Sequence, residues 1–438
     1  MRGGHGERRV AVTGLGVVSA VGADVGSFGQ AIVAGVSGIA PIESVDRSLL
    51  SFQHGAEVRD FDPSASIDPA RLGLFDRFAQ MALVAAREAV DAAGSGVTAG
   101  LGSRGGAVTG ATTGGQTTED EAFLRLYREN RSRLHPLTIP RIMPNAAASA
   151  LAMEYGLTGP TFTVSTACSS SNHAIGHAFW MIRSGLLDLA LAGGAESPFS
   201  YGHLKAWEAI RVVSPDVCRP FSRDRNGMIL GEGAGILVLE SLERATGRGA
   251  EILAEIVGFG MSADAHHITQ PTVEGPAAAM RAALADGGVE AGTVTHINAH
   301  GTGTLVNDVT EARAIRDVFG PHTDRVAVSA TKSMHGHALG AAGAIEAVAT
   351  VLALRGRAAP PTANFTERDP ECDIDVVVGE ARRLDGEYAL SNSFAFGGLN
   401  AVLAFRRWEG QDRGNGQTEP ASARSVAQHP RRGSHRRA

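Results

Sequence analysis

Two kinds of apolar run alternate along this chain. Short ones are nearly continuous and bounded by glycines: RVAVTGLGVVSAV over Arg9 to Val21, LALAGGAES from Leu189 and GAGILVLES from Gly233. Runs of this length read as strands buried on both faces. Longer ones repeat at helical spacing, over residues 74–92 and over 171–184, where Ala174, Ile175, Ala178, Phe179 and Ile182 fall on one stripe. GGAVTGATTGG adds a strand that ends in glycines, and residues 161–164 a short one that leads into the second helix.

After Ala250 the same grammar returns. EILAEIVGFG reads as a strand and EGPAAAMRAALADGGV as an amphipathic helix. THINAHGTGT and DRVAVSATKSMHGH each run from strand into glycine loop, and GAAGAIEAVATVLAL is helical. ALSNSF and NAVLAF are late strands joined through AFGGL. Alternating strands and helices predict an α/β fold with buried sheets. The pattern divides the chain near Gly258 into two similar halves, residues 9–258 and 259–408. Residues 409–438 are polar and aperiodic, which predicts a disordered tail with a basic end, PRRGSHRRA.

Composition narrows the function classes. The chain has 438 residues, 43% hydrophobic and 20% charged, ordinary for a globular enzyme and too long for one small core. A net charge of −6 argues against a nucleic-acid binder. No apolar run reads as a membrane span and the polar start is unlike a secretory signal, so a cytoplasmic protein is expected. Three separated cysteines make neither a disulfide scaffold nor a metal pair. Lysine occurs only at Lys205 and Lys332, which points to a need for an ammonium there rather than a guanidinium.

Four motifs carry candidate chemistry. In VSTACSSSNHAIGHA, Cys168 lies between a short strand and a helix. Its sulfur would project from a sharp turn, the helix N-terminus would favour the thiolate, and free N–H groups there could hold an oxyanion. In NAHGTGT, His300 ends a strand before a glycine loop; alone it is as readily a satisfied core histidine. TKSMHGHALGAAG gathers Lys332, His335 and His337 ahead of a small-residue helix. The two histidines invite a zinc reading, but no Cys, Asp or Glu cluster accompanies them. NSFAFGGLN carries Phe394 and Phe396 around Ala395, then Gly397 and Gly398. For Cys218 and Cys372 the expected role is that of small buried hydrophobes.

In this order, Cys, His, His, Gly-rich Phe loop, the motifs resemble the β-ketoacyl-acyl carrier protein synthases of the elongating, decarboxylating kind. The resemblance covers about Arg9 to Phe405 and includes RPFSRDRNGMILGEGAGILVLE and GFGMSADAHHIT. It implies a thiolase-like fold of two similar halves, layered α-β-α-β-α. It implies Cys168 as the acyl-accepting nucleophile and His300 and His337 as the catalytic histidines. Lys332 would be supported by Glu311, Phe396 would gate the pocket, and Phe394 would contact substrate. Thr302 and Thr304 would contact the phosphopantetheine arm. The backbone N–H groups of Cys168 and Phe396 would form the oxyanion hole. No metal or organic cofactor is implied. The implied partners are an acyl carrier protein and a second subunit, either a copy of this chain or a chain-length factor. Arg71, Arg77, Arg131 and Arg133 are candidates for carrier docking.

Ala395 stands where housekeeping fatty-acid members commonly have glycine, and Thr113 where the acyl pocket often has isoleucine. GTGTLVND resembles type II polyketide ketosynthases at least as closely. The expectation is therefore the active ketosynthase of a polyketide system, with polyene chains as the finer expectation, ahead of a housekeeping elongation enzyme. A thiolase would be expected to carry a second cysteine near the last glycine loop, and a priming enzyme one His and one Asn. A non-catalytic chain-length-factor-like partner would lack Cys168 or a histidine.

Overall fold

Ten strands make one mixed sheet in the computed structural model, which describes residues 7–94 and 96–410. In chain order they are β1 (Val10–Ser19), β2 (Gly105–Gly110), β3 (Thr161–Val164), β4 (Leu189–Glu196), β5 (Gly233–Ser241), β6 (Ala254–Ala263), β7 (Val294–Asn298), β8 (Ala327–Ser329), β9 (Tyr388–Ala395) and β10 (Leu399–Arg407). Six helices position the site: α1 (Arg77–Ala93), α2 (Ser170–Arg183), α3 (Tyr201–Ile210), α4 (Glu274–Gly287), α5 (Leu305–Phe319) and α6 (Ala342–Gly356).

The sheet has an internal symmetry. The first five strands lie in the order β1-β5-β4-β2-β3 and the last five in the order β6-β10-β9-β7-β8. Within each set the first two pairings are antiparallel and the last two parallel. The sets meet where β1 pairs antiparallel with β6, Val10 opposite Ile256 and Val12 opposite Ala254. Gly258 lies inside β6.

Alternation along the strands sorts the core into layers, because successive side chains point to opposite faces. Leu237 and Leu239 of β5 pack with α2, α6 and strands of both sets in a central cluster. Their neighbours Ile236 and Val238 face the other way, onto α1. In the second set Ile297, Leu390 and Val402 pack outward against α4 and α5. The result is helix, one set of strands, paired central helices, the other set of strands, helix.

Helix α6 is buried nearly all round from Ala342 to Leu354, as its Ala, Val, Ile and Leu positions, interrupted only by Gly343, Glu346 and Thr350, require. The 18-residue stretch Leu339–Gly356 is apolar and long enough to cross a membrane, which the sequence reading did not anticipate, but it is 83% buried in this middle layer. Close approach of the two central helices needs a glycine: a Cβ on Gly343 would stand 2.5 Å from Oδ1 of Asn172 on α2. The tail expectation over 411–438 lies outside the described residues.

Candidate active site

Cys168 lies in the turn between β3 and α2, at the middle of the molecule. The turn is closed by its own hydroxyls: Ser169 Oγ donates to Thr166 O at 2.8 Å and Ser170 Oγ to Ala167 O at 2.6 Å. Ala167 pays for the sharpness with φ of 49°, a left-handed conformation costly for any residue with a Cβ. The sulfur is thereby presented to the cavity while Cys168 stays buried, 7% exposed.

Burial sets the state of this thiol. It pushes the Cys168 pKa up to about 11, against the pull of the Lys332 charge and of the N–H groups of Phe396 and Cys168 that reach the sulfur. The expectation that the helix start would favour thiolate is thus corrected: desolvation wins. Alkylation of Cys168 by iodoacetamide should rise roughly tenfold per pH unit from pH 7 to 9, because only the thiolate reacts. A plateau below pH 8, read by mass spectrometry, would contradict this.

The two histidines come from the ends of neighbouring elements. His300 follows β7, His337 follows the short helix Lys332–His335, and their rings stand edge to face with centroids 5.4 Å apart. Burial first, then the Lys332 charge, holds both well below the usual imidazole range, so both are neutral at pH 7. The tautomers follow from their partners. His337 Nδ1 accepts the Leu339 N–H at 3.1 Å, and Lys332 Nζ lies 3.2 Å from His300 Nδ1. An N–H and an ammonium can only donate, so each proton sits on Nε2. Two N–H donors therefore remain available beside Cys168.

Lys332 is fully buried and held three ways, by His300 O at 2.7 Å, by His300 Nδ1 and by an ion pair with Glu346. Its carboxylate partner is Glu346 of α6, not Glu311 as the resemblance implied. Burial pushes the Glu346 carboxyl up and Lys332 pulls it back. Glu311 does a different task from α5. It accepts the N–H groups of His300 and Gly301, each at 2.8 Å, and Asn392 Nδ2 at 3.1 Å. Burial raises it to about 6, with those donors opposing. Asp308, one turn earlier, accepts the Gly303 N–H at 3.2 Å. Two carboxylates near the start of α5 thus tie the NAHGTGT loop in place, which explains acidic residues at these buried helical positions. Gly301 is needed there: φ is +38° and a Cβ would stand 2.6 Å from Ala330 Cβ.

Cys168, His300 and His337 line one cavity of about 390 Å³. Thr302, Thr304, Phe394 and Phe396 line it too. The threonine hydroxyls lie 2.9 Å apart, and Phe394 stands edge-on to His300 at 6.0 Å. Thr113 does not line this cavity. Its N–H and Oγ1 both lie 3.5 Å from Oε1 of Glu196, a buried carboxylate that holds the loop by accepting the Thr112 N–H at 2.6 Å. His335 faces away, with Nε2 3.1 Å from Thr331 Oγ1 and its ring near Phe28. Cys218 and Cys372 are buried thiols, both pushed up to about 12 chiefly by burial. Among the docking candidates, Arg71 bonds Glu154, Arg77 bonds Glu232 and Arg131 lies 3.4 Å from Glu129. Lys205 is a surface lysine paired with Glu208.

Sequence reasoning missed three residues here. Glu346 had a signal, a lone carboxylate inside an otherwise apolar helix. Glu196 likewise ends an apolar strand. Trp207 had none, since α3 was not foreseen.

Comparison with known proteins finds similarity over most of the chain. The family described as "Beta-ketoacyl synthase, N-terminal domain" matches residues 7–245, and "Beta-ketoacyl synthase, C-terminal domain" matches 253–366. "Nodulation protein E" of Rhizobium sp. (strain N33) is 47% identical over 401 residues, 92% of this chain and 100% of that protein. "3-oxoacyl-[acyl-carrier-protein] synthase 2" of Staphylococcus aureus (strain COL) is 41% identical over 92% of this chain and 99% of its own length. Among solved structures, "The ishigamide ketosynthase/chain length factor" superposes with a TM-score of 0.87 at 41% identity, covering 92% of this chain and 100% of that one.

Proposed function

The chain belongs to the β-ketoacyl synthase family, and on that premise we propose that it joins an acyl group held on Cys168 to a malonyl group carried by an acyl carrier protein, with loss of carbon dioxide. The observation that carries this reading is the pair of neutral histidines, each with its proton placed on Nε2 beside a buried cysteine.

The steps follow from that arrangement. Cys168 sulfur attacks the acyl thioester carbonyl, and its proton leaves with the carrier thiol. The oxyanion formed on the way is met by the N–H groups of Cys168 and Phe396, the two that favour negative charge on the sulfur. The product is an acyl-enzyme, so ping-pong kinetics are expected. The malonyl thioester then binds with its carbonyl oxygen toward His300 and His337. Its carboxylate leaves as carbon dioxide, and the electron pair moves to the thioester oxygen as an enolate. Donors aimed at that oxygen act most strongly once the charge has developed, which lowers the barrier rather than the ground state. The enolate carbon attacks the acyl carbonyl, the C–S bond to Cys168 breaks, and the sulfur takes up a proton. Lys332, fixed by Glu346, holds the His300 tautomer. No metal or organic cofactor enters this scheme.

For the pathway we propose the active ketosynthase of a type II polyketide system, with polyene chains as the finer expectation. Support comes from the 41% identity to the ishigamide ketosynthase, from Ala395 in the gating loop and from an intact Cys168. Equal identity to the staphylococcal synthase favours housekeeping elongation as the second reading. The partner subunit fits the outer edge of the sheet, where β3 is unpaired on one side and Phe162 is exposed. A panel of saturated and polyunsaturated acyl carriers separates the readings. The proposal expects the unsaturated chains to be extended at least about tenfold faster; extension of saturated chains alone would leave only fatty-acid elongation.

A further inference from the structure

The oxyanion donor on Phe396 sits at a loose place. Phe396 is at the tip of the β9–β10 hairpin, beyond the last pair, Ala395 opposite Leu399. The next two residues are glycines with φ of +83° and +70°, and a Cβ on Gly397 would meet nothing nearer than Leu399 Cγ at 4.0 Å. Such a tip moves readily unless something outside it holds it. Yet the Phe396 N–H must point at the sulfur of Cys168, which belongs to the other half of the molecule.

Three contacts from outside the hairpin tie the tip, the first being the Asp264 N–H, which donates to Gly398 O at 2.9 Å. The Gly397 N–H donates to Ile268 O at 2.8 Å. The Phe396 ring stacks on the indole of Trp207, centroids 6.2 Å apart and planes 25° from parallel. Trp207 is on α3, which belongs to the same half as Cys168, and lines the same cavity. Its own orientation is fixed one helical turn earlier, where its Nε1–H donates to His203 Nε2 at 3.0 Å. Burial keeps His203 below the usual imidazole range, so it is a neutral acceptor at pH 7.

We propose that Trp207 is a positioning residue for acyl transfer: by stacking on Phe396 it holds the oxyanion donor at Cys168. This rests on the ketosynthase reading above. Trp207 acts on the steps that use the Cys168–Phe396 pair of N–H groups, namely loading and carbon–carbon bond formation. Carbon dioxide loss, which draws on His300 and His337, does not depend on it. A residue that merely packed the fold would affect all steps alike.

The test uses the full chain with octanoyl-pantetheine and malonyl-pantetheine as probes. Trp207→Ala should load octanoyl onto Cys168 about tenfold more slowly, the scale of a small misplacement of a reacting group. Carbon dioxide release from malonyl-pantetheine alone should stay within about twofold, so the ratio of carbon dioxide to ketoacyl product rises. Trp207→Phe, which keeps a stacking ring, should restore loading. Unchanged loading in Trp207→Ala, an equal fall in loading and carbon dioxide release, or no rescue by phenylalanine would each overturn the proposal. Wild-type protein that neither loads nor releases carbon dioxide would instead overturn the ketosynthase reading on which it stands.

Discussion

His300→Ala should load an acyl group onto Cys168 within a few-fold of the wild-type rate, yet lower condensation by about 10²–10³, the usual effect of losing one preorganised donor to a developing oxyanion. The split follows from where each group sits. On the proposed mechanism, loading uses the turn at Cys168 and the N–H groups of Cys168 and Phe396. His300 would contribute its Nε2–H beside His337. Removing the ring leaves Lys332 with its contacts to His300 O and Glu346, so the buried charge stays paired. That matters because an unpaired buried ammonium costs several kcal/mol and would blur the result. Single-turnover loading by mass spectrometry and carbon dioxide release from a malonyl carrier measure the two halves separately. Equal loss in both would show that His300 serves the nucleophile instead.

Much of this was legible in the sequence because the candidate site is built from short, continuous motifs. TACSSS, NAHGTGT, TKSMHGH and NSFAFGG each lie where a strand or short helix gives way to a turn, and the structure brings one or more residues from each to the same cavity. The strands were legible for a similar reason: buried strands such as GAGILVLES are apolar over most of their length and bounded by breaks in pattern. What the sequence withheld is pairing across long separations. Glu311 is 21 residues before Lys332 and Glu346 is 14 after it; both are buried carboxylates on helices, and only the packing of α6 against the centre shows which one meets the ammonium.

The state of Cys168 was also misjudged from sequence. Helix position is local, but desolvation depends on everything packed around the sulfur, and here burial outweighs the nearby N–H groups. A thiol held protonated at rest is protected from adventitious oxidation and alkylation, and on the proposed mechanism attack on a thioester would transfer its proton as the bond forms. Trp207 escaped notice for a third reason. Helix α3 has few buried residues, Leu204 alone among them fully so, and its apolar stripe is too sparse to announce a helix.

The account stands on Cys168 as the residue that carries the acyl chain. Intact-protein mass spectrometry after incubation with an acyl carrier measures this directly. Wild-type protein should gain the mass of one acyl group, placed on Cys168 by peptide mapping and discharged as ketoacyl product when malonyl carrier is added. Cys168→Ala should gain none, and its condensation should fall by about 10⁴ or more, since the covalent route is then closed. An acyl adduct that persists in Cys168→Ala, or a wild-type adduct that malonyl carrier cannot discharge, would contradict the account.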